Sequence, residues 1–170
     1  MKSTHCRRLS AAAFTALVPL VALGLADSAR SAGATAAGSA KTAPPPVVEL
    51  LSRGAIAKPF EAKAHGIEVE AKRRIDVATA HLTFAPGSST GWHRHPGPTV
   101  VTVTAGELTT TDRHCKSKVY EAGQTFVEEG PLRHVAVNTA DTTTQVIVTF
   151  YVPAGAKLLL IPASPPACAS

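Results

Sequence analysis

A chain of 170 residues with a formal charge of +5 is long enough for one ordinary domain. Most of its excess charge lies before residue 37, in four basic residues and one acidic residue, which are Lys2, Arg7, Arg8, Arg30 and Asp27. Without that segment the formal charge falls from +5 to +2. No stripe of Lys and Arg interleaved with aromatic residues is left, so nucleic-acid binding has no support.

Residues 1–36 predict a secretory signal peptide, because basic residues precede an apolar run at 9–26 and small residues follow it. A retained membrane anchor is the alternative, but such an anchor needs about 20 uninterrupted apolar residues, and Pro19 breaks the run. The Arg7-Arg8 pair leaves Sec and Tat export both open. We expect a secreted or extracytoplasmic protein that has no membrane contact after cleavage.

Residues 37–46 are rich in Pro and Ala, which predicts an extended, solvated linker. After it, residues 47–162 predict a single all-β domain, because short segments rich in Val, Ile, Thr and Phe are separated by turn residues. The predicted strands are 47–51, 67–71, 76–84, 92–95, 99–104, 108–111, 118–120, 125–128, 134–137, 145–152 and 157–161. So many short strands indicate a closed barrel or a two-sheet sandwich.

The third predicted strand has a clear apolar face. Every second residue in the stretch 78–84 is apolar, so His81 falls on the opposite face. His65 and His114 lie in polar turns. These three histidines are predicted to have structural roles.

The cysteines predict a disulfide. Cys6 leaves with the signal peptide, and Cys115 and Cys168 remain as an even pair in an exported chain. Their bond would close a loop of about 52 residues, which the chain-entropy model values at on the order of 4 kcal/mol. It would also tether the tail, residues 163–170, to the domain. Two free thiols or thiolate metal ligands are the alternative.

His93 and His95 are the first candidate metal ligands. They stand two residues apart in a predicted strand, so both rings project to one side from Cα atoms about 6.6 Å apart. From that separation both imidazoles can reach one metal ion at about 2.1 Å. A chance pair in a β-rich chain is the alternative.

The spacing around this pair resembles the first motif of the cupin superfamily. Gly87 is followed by five residues, His93, one residue, His95, three residues, Thr99, six residues and Gly106. Thr99 stands where that motif usually has glutamate.

A second stretch resembles the second cupin motif. Gly123 is followed by ten residues, His134, three residues and Asn138. Residues 129–131 replace the usual Pro-x-Gly turn. The short gap between the motifs is that of a small single-domain cupin.

The resemblance implies a jelly-roll β-barrel of the kind found in small secreted bacterial cupins, with His93, His95 and His134 converging on one divalent metal ion. Three neutral imidazoles leave the ion its full charge and open positions for a small-molecule ligand. Imidazole ligation suits Fe, Mn, Ni, Cu or Zn, and the sequence does not choose among them.

Three further residues are predicted to support the site. Thr99 and Asn138 are expected to hydrogen-bond a ligand ring or a metal-bound water, with a turn role as the alternative for Asn138. Tyr151 is expected to donate to a substrate if its strand face points inward. No catalytic base is identifiable. The nearest carboxylates are Glu128 and Glu129, with a solvated turn as their alternative role.

Two classes of function stay open at this point. The first is an exported metal-dependent oxygenase or isomerase acting on a small oxygen-rich molecule. The second is a module that binds a metal or a small ligand without turnover. Exposed barrel edges need cover, which makes a homodimer plausible.

Overall fold

The computed structural model describes residues 43–169. The predicted signal peptide, residues 1–36, and the first part of the predicted linker lie outside the described residues. None of the helices in the described part is long and apolar enough to cross a membrane.

The described chain is built from β-strands and one turn of 3-10 helix at Ala167–Ala169. The strands in chain order are β1 Val47–Ile56, β2 Phe60–Ala64, β3 Ile67–Ala71, β4 Ile75–Phe84, β5 His93–Arg94, β6 Thr99–Ala105, β7 Glu107–Asp112, β8 Ser117–Glu121, β9 Thr125–Glu128, β10 His134–Val137, β11 Thr144–Pro153 and β12 Ile161–Pro162.

These strands pair antiparallel in two five-stranded sheets and a hairpin. One sheet has the order β1-β4-β11-β6-β9, the other has the order β12-β5-β10-β7-β8, and β2 pairs with β3. Neighbours in each sheet are mostly distant in sequence, as in a jelly roll. The all-β jelly-roll fold predicted from the sequence is confirmed.

The core fills the space between the two sheets. Inward-facing residues alternate with outward-facing ones along β4, β6 and β11. The buried apolar cluster consists of Ala78, Ala80, Leu82, Phe84, Val101, Val103, Leu108, Phe126, Ala136, Val146, Val148, Phe150 and Val152. The predicted apolar face of the stretch 78–84 is therefore confirmed, with the half-buried His81 on the other face.

One strand was not predicted, and another differs from its predicted position. The strand β2 was not predicted, although its residues alternate between apolar and charged as those of its partner β3 do, and the β2–β3 hairpin is largely exposed. Its turn uses His65 and Gly66 with φ of 51° and 80°, rather than the Asn-Gly pair that usually marks such turns. The strand predicted at 157–161 shrinks to the short β12, which pairs only with β5.

The predicted disulfide is present. Cys115, in the turn between β7 and β8, is bonded to Cys168 in the terminal 3-10 helix, with Cα atoms 6.1 Å apart. The disulfide ties the C-terminal tail to the sheet that contains β7 and β8.

Two glycine turns pack closely beside the start of β6. A Cβ on Gly97 would lie 1.9 Å from the carbonyl oxygen of Tyr151, and one on Gly130, which has φ of +70°, would lie 2.8 Å from the backbone of Gly97. The backbone N–H of His95 donates to the carbonyl of Gly130 at 2.8 Å. This contact fixes the backbone of His95.

Replacing Gly97 by alanine should destabilise the fold, because the new methyl group meets backbone that cannot move aside. We expect the free energy of unfolding to fall by on the order of 2–3 kcal/mol, measured by urea denaturation. Gly54→Ala is the control, since nothing lies within 4 Å of its added Cβ, and it should change stability by less than about 1 kcal/mol. Equal effects of the two substitutions would contradict the role given to the Gly97 turn.

Candidate metal centre

Three histidines come together between the sheets. His93 of β5 pairs directly with His134 of β10, and His95 follows two residues after His93. All three residues are buried, with 3%, 9% and 4% exposure for His93, His134 and His95. Arg94 points the other way and is exposed, as alternation in an extended segment requires.

Each ring is oriented by a hydrogen bond from its Nδ1. The acceptors for His93, His95 and His134 are the carbonyl oxygens of Gly91, Leu159 and Leu132, at 2.9, 2.6 and 3.0 Å. A carbonyl oxygen only accepts, so Nδ1 carries the proton in each neutral ring. The lone pair is then on Nε2, which is the tautomer a metal ligand needs.

The Nε2 atoms have no protons to share with one another. Those of His93 and His95 lie 3.2 Å apart, and that of His134 is buried without a hydrogen-bond partner. One ring nitrogen from each histidine lies within 4.8 Å of the others. Bonds of about 2.1 Å at right angles put two ligand atoms about 3.0 Å apart. The three histidines are therefore placed to bind a metal ion, and the widest pair of nitrogens would have to move closer together on binding.

A carboxylate completes the cluster. Glu128 Oε2 lies 3.1 Å from His95 Nε2, and Glu128 Oε1 lies 3.1 Å from His134 Nε2. The contact between Glu128 Oε1 and His134 Nε2 is within ion-pair distance. It lacks the alignment of a hydrogen bond, so His134 Nε2 has no hydrogen-bond partner. Glu128 thus brings a carboxylate beside two of the three imidazole nitrogens, and a cation bound there would satisfy these electron-pair donors.

The surroundings shift the pKa values of His93, His134 and Glu128 in different directions. Burial lowers the pKa of the His93 imidazole to about 4. Burial also lowers the pKa of His134, but the contact with Glu128 outweighs it and the net pKa is raised. Burial raises the pKa of Glu128, yet the neighbouring His134 and His95 rings bring it down to about 2. The carboxylate is therefore ionised at neutral pH.

The metal-free protein should lose stability through His93 as the pH falls. Between the ordinary pKa of 6.5 and the folded pKa of about 4, the unfolded chain binds a proton that the folded chain excludes. We expect the free energy of unfolding of wild type to fall, relative to that of His93→Gln, by on the order of 3 kcal/mol across this window. Denaturation of chelator-treated protein at several pH values measures the difference. A constant difference would contradict the burial effect.

Asn138 and Thr99, which were predicted to support the site, make hydrogen bonds to backbone groups instead. The Asn138 amide donates to the carbonyls of Phe84 and Thr142 and accepts from the N–H of Ala140. The predicted hydrogen bond from Asn138 to a ligand ring is therefore replaced by its alternative turn role. Thr99 is buried, and its hydroxyl lies 3.5 Å from the carbonyl of Gly97. Backbone carbonyls, not these side chains, hold the rings.

Tyr151 also lies away from the centre. The inward residues of β11 are the even-numbered ones, and Tyr151 falls on the outward side. Its neighbour Phe150 faces the site instead, with its ring centroid 5.4 Å from that of His95. The expectation that Tyr151 faces a substrate is corrected by this alternation.

Sequence reasoning left the role of Glu128 open. A signal for it was available, since Phe126 and Glu128 share one face of β9 and Phe126 belongs to the core. That alternation predicts an inward Glu128.

Two spaces adjoin the cluster. A cavity of about 50 Å³ lies inside the barrel against His93 and His95, and its other walls include Phe84, Val101 and Phe150. A more open cleft of about 350 Å³ reaches His134 and Glu128 from the outside. The inner space is small and apolar, and the outer one offers access from solvent.

A family model described as a cupin domain matches residues 80–151, which include all three histidines. Residues 80–151 therefore belong to the cupin superfamily. This cupin is similar in structure to a double-stranded β-helix domain protein from Klebsiella pneumoniae subsp. pneumoniae MGH 78578, with 15% identity and a TM-score of 0.50 over 70% of this chain and 86% of the other. At that identity the likeness concerns the fold alone.

Two further solved structures are similar to parts of this cupin. A cupin domain protein from Bordetella pertussis Tohama I has 18% identity and a TM-score of 0.46, over 64% of this chain and 95% of the other. An oxalate oxidase in complex with glycolate has 31% identity and a TM-score of 0.40, over 43% of this chain. The cupin spans only 40% of the oxalate oxidase chain. No curated protein matches this chain.

Proposed function

We propose that this protein is an exported cupin that binds one divalent transition metal ion through His93, His95 and His134 and acts on a small oxygen-bearing molecule, as an oxygenase or an isomerase. The observation that carries the proposal is the convergence of three imidazole lone pairs on one buried point beside an internal cavity. Fe, Mn, Ni, Cu and Zn all suit such ligands.

The chain's own groups would prepare the reaction. A bound divalent ion supplies Lewis-acid chemistry that polarises a ligated oxygen. The backbone carbonyls hold each ring with its lone pair inward. The apolar walls of the inner cavity exclude bulk water. Its volume of about 50 Å³ is far below the roughly 300–1,000 Å³ of a drug-sized site, so it favours substrates of a few heavy atoms.

A binding module without turnover is the second candidate. It is favoured by Glu128, the carboxylate in contact with the ligands, because a pKa of about 2 makes it a weak proton acceptor. In that case the function of the barrel is to bind the ion, alone or together with a small anion, and no reaction follows.

Oxygen uptake and product analysis separate the two candidates. Protein loaded with Fe(II), Mn(II) or Ni(II) is mixed with small hydroxy acids, dicarboxylates, diketones and thiols, and with a flavonol as a size control. The enzyme proposal expects turnover with a small compound and none with the flavonol. Stoichiometric metal binding with no turnover on the whole panel supports the binding module.

Export is the part of the proposal that rests on the disulfide. A Cys115–Cys168 bond suits an oxidising, extracytoplasmic compartment. Expression of the full chain with its own N-terminus, followed by N-terminal sequencing of the exported product, tests this. Retention of the intact chain inside the cell would contradict it.

The protein is further proposed to pair as a homodimer through β1. This strand lies at a sheet edge and exposes Val48 and Leu50 at 60% and 55%, which is an edge that invites pairing. We expect a dimer by light scattering and a monomer after Val48→Lys with Leu50→Lys. Val127→Lys, at an exposed site on the opposite edge strand β9, is the control. A monomeric wild type would contradict the pairing.

A further inference from the structure

The first cupin motif lacks its carboxylate, because Thr99 occupies that position. Thr99 lies on β6 and is completely buried. Its direct partner across the sheet is Glu128, at the end of β9. Side chains of directly paired residues project to the same face with Cβ atoms about 4.5–5.5 Å apart. A carboxylate at 128 therefore reaches the space that a carboxylate at 99 would serve.

The distances place Glu128 within the ligand cluster. Its oxygens lie 3.1 Å from His95 Nε2 and 3.1 Å from His134 Nε2, and the His93–His95 nitrogen pair is 3.2 Å apart. All three separations are close to the roughly 3.0 Å expected between adjacent ligand atoms on bonds of about 2.1 Å.

Charge balance points the same way. The side chain of Glu128 is only 12% exposed. Among residues 43–169, the partners within ion-pair distance of its carboxylate are the rings of His95 and His134. Metal ligation requires those rings to be neutral. The carboxylate would then face no positive charge except the ion itself, and a buried carboxylate needs one.

We propose that Glu128 is the fourth protein ligand of the metal and replaces, from the neighbouring strand, the carboxylate that the first motif lacks at Thr99. This inference rests on the proposed metal site of His93, His95 and His134. The resulting set of three imidazoles and one carboxylate leaves the ion with one net positive charge. Carboxylate oxygen suits Mn(II) better than the all-imidazole set does, so Glu128 biases the site toward Mn(II) and Fe(II).

The test combines affinity with direct observation of the ligand. Mn(II) binding to wild type, Glu128→Gln and Glu129→Gln is measured by electron paramagnetic resonance and by competition with a chelator. We expect Glu128→Gln to weaken Mn(II) binding by about 10–100-fold. Glu129 is exposed, so Glu129→Gln should bind as wild type does. A crystal structure of Mn(II)-loaded wild type should place a Glu128 oxygen about 2.0–2.2 Å from the ion.

The outcomes separate the two proposals. If wild type binds Mn(II) through the three histidines while Glu128 stands off behind a water molecule, the inference is overturned and the metal site stands. The same holds if Glu128→Gln binds Mn(II) as tightly as wild type. If wild type binds no divalent ion, the proposed function itself fails. The structure of the loaded wild type needs no variant, so a folding defect in Glu128→Gln cannot hide the answer.

Discussion

Replacing His134 by alanine should remove stoichiometric metal from the purified protein. His134 is the candidate ligand that β10 places opposite β5, and its Nε2 is buried without a hydrogen-bond partner among the described residues. His93 and His95 would remain as two nitrogens from one segment. We expect the affinity for Mn(II) or Zn(II) to fall by about 100-fold or more, at the upper end of what ligand-shell changes cost. Elemental analysis after dialysis measures the bound metal.

His81→Ala is the matched control, because His81 lies on the face of β4 that points away from the cluster. It should keep its metal, and His93→Ala should lose it as His134→Ala does. Far-ultraviolet circular dichroism and urea denaturation check that each variant is folded. If folded His134→Ala retains one ion per chain as wild type does, the three-histidine site is not the binding site.

The parts of this site that sequence spacing predicts are those fixed by local geometry. His93 on β5 and His95 just after it are two residues apart in an extended segment, so both side chains project to the same side. His134 was found through a motif resemblance, since nothing local brings β10 beside β5. The outward orientation of Tyr151 was also predictable from the sequence. The apolar residues that mark the inward face of β11 are Val146, Val148, Phe150 and Val152.

The roles of Glu128 and Asn138 could not be predicted from motif spacing alone. Alternation within β9 turns Glu128 inward, but its place opposite Thr99 depends on the pairing of β9 with β6. That pairing is set by barrel closure rather than by any pattern within β9. Asn138 has a motif position that predicted ring contact, yet its three hydrogen bonds close the connection to β11. The Asn138 amide hydrogen-bonds backbone polar groups that would otherwise be buried without partners, and it does not contact a ligand ring.

Removal of the disulfide lowers the stability of the whole domain. Cys115 and Cys168 are separated by 53 positions, so their bond restricts a long loop in the unfolded chain. The chain-entropy model gives on the order of 4 kcal/mol for a loop of this length. We expect Cys115→Ser with Cys168→Ser to lose about that much free energy of unfolding, measured by guanidinium denaturation of the metal-free protein.

Reduced wild type is the control, because it lacks the bond but keeps every atom of the two side chains. It should unfold at the same denaturant concentration as the double variant. The three histidines lie on β5, on β10 and just after β5, whereas the bond joins the β7–β8 turn to the tail. Folded double variant should therefore still bind metal. If it matches oxidised wild type in stability, the tail is held by noncovalent contacts such as the Arg133 hydrogen bond to Ser164, and the loop-entropy argument fails for this chain.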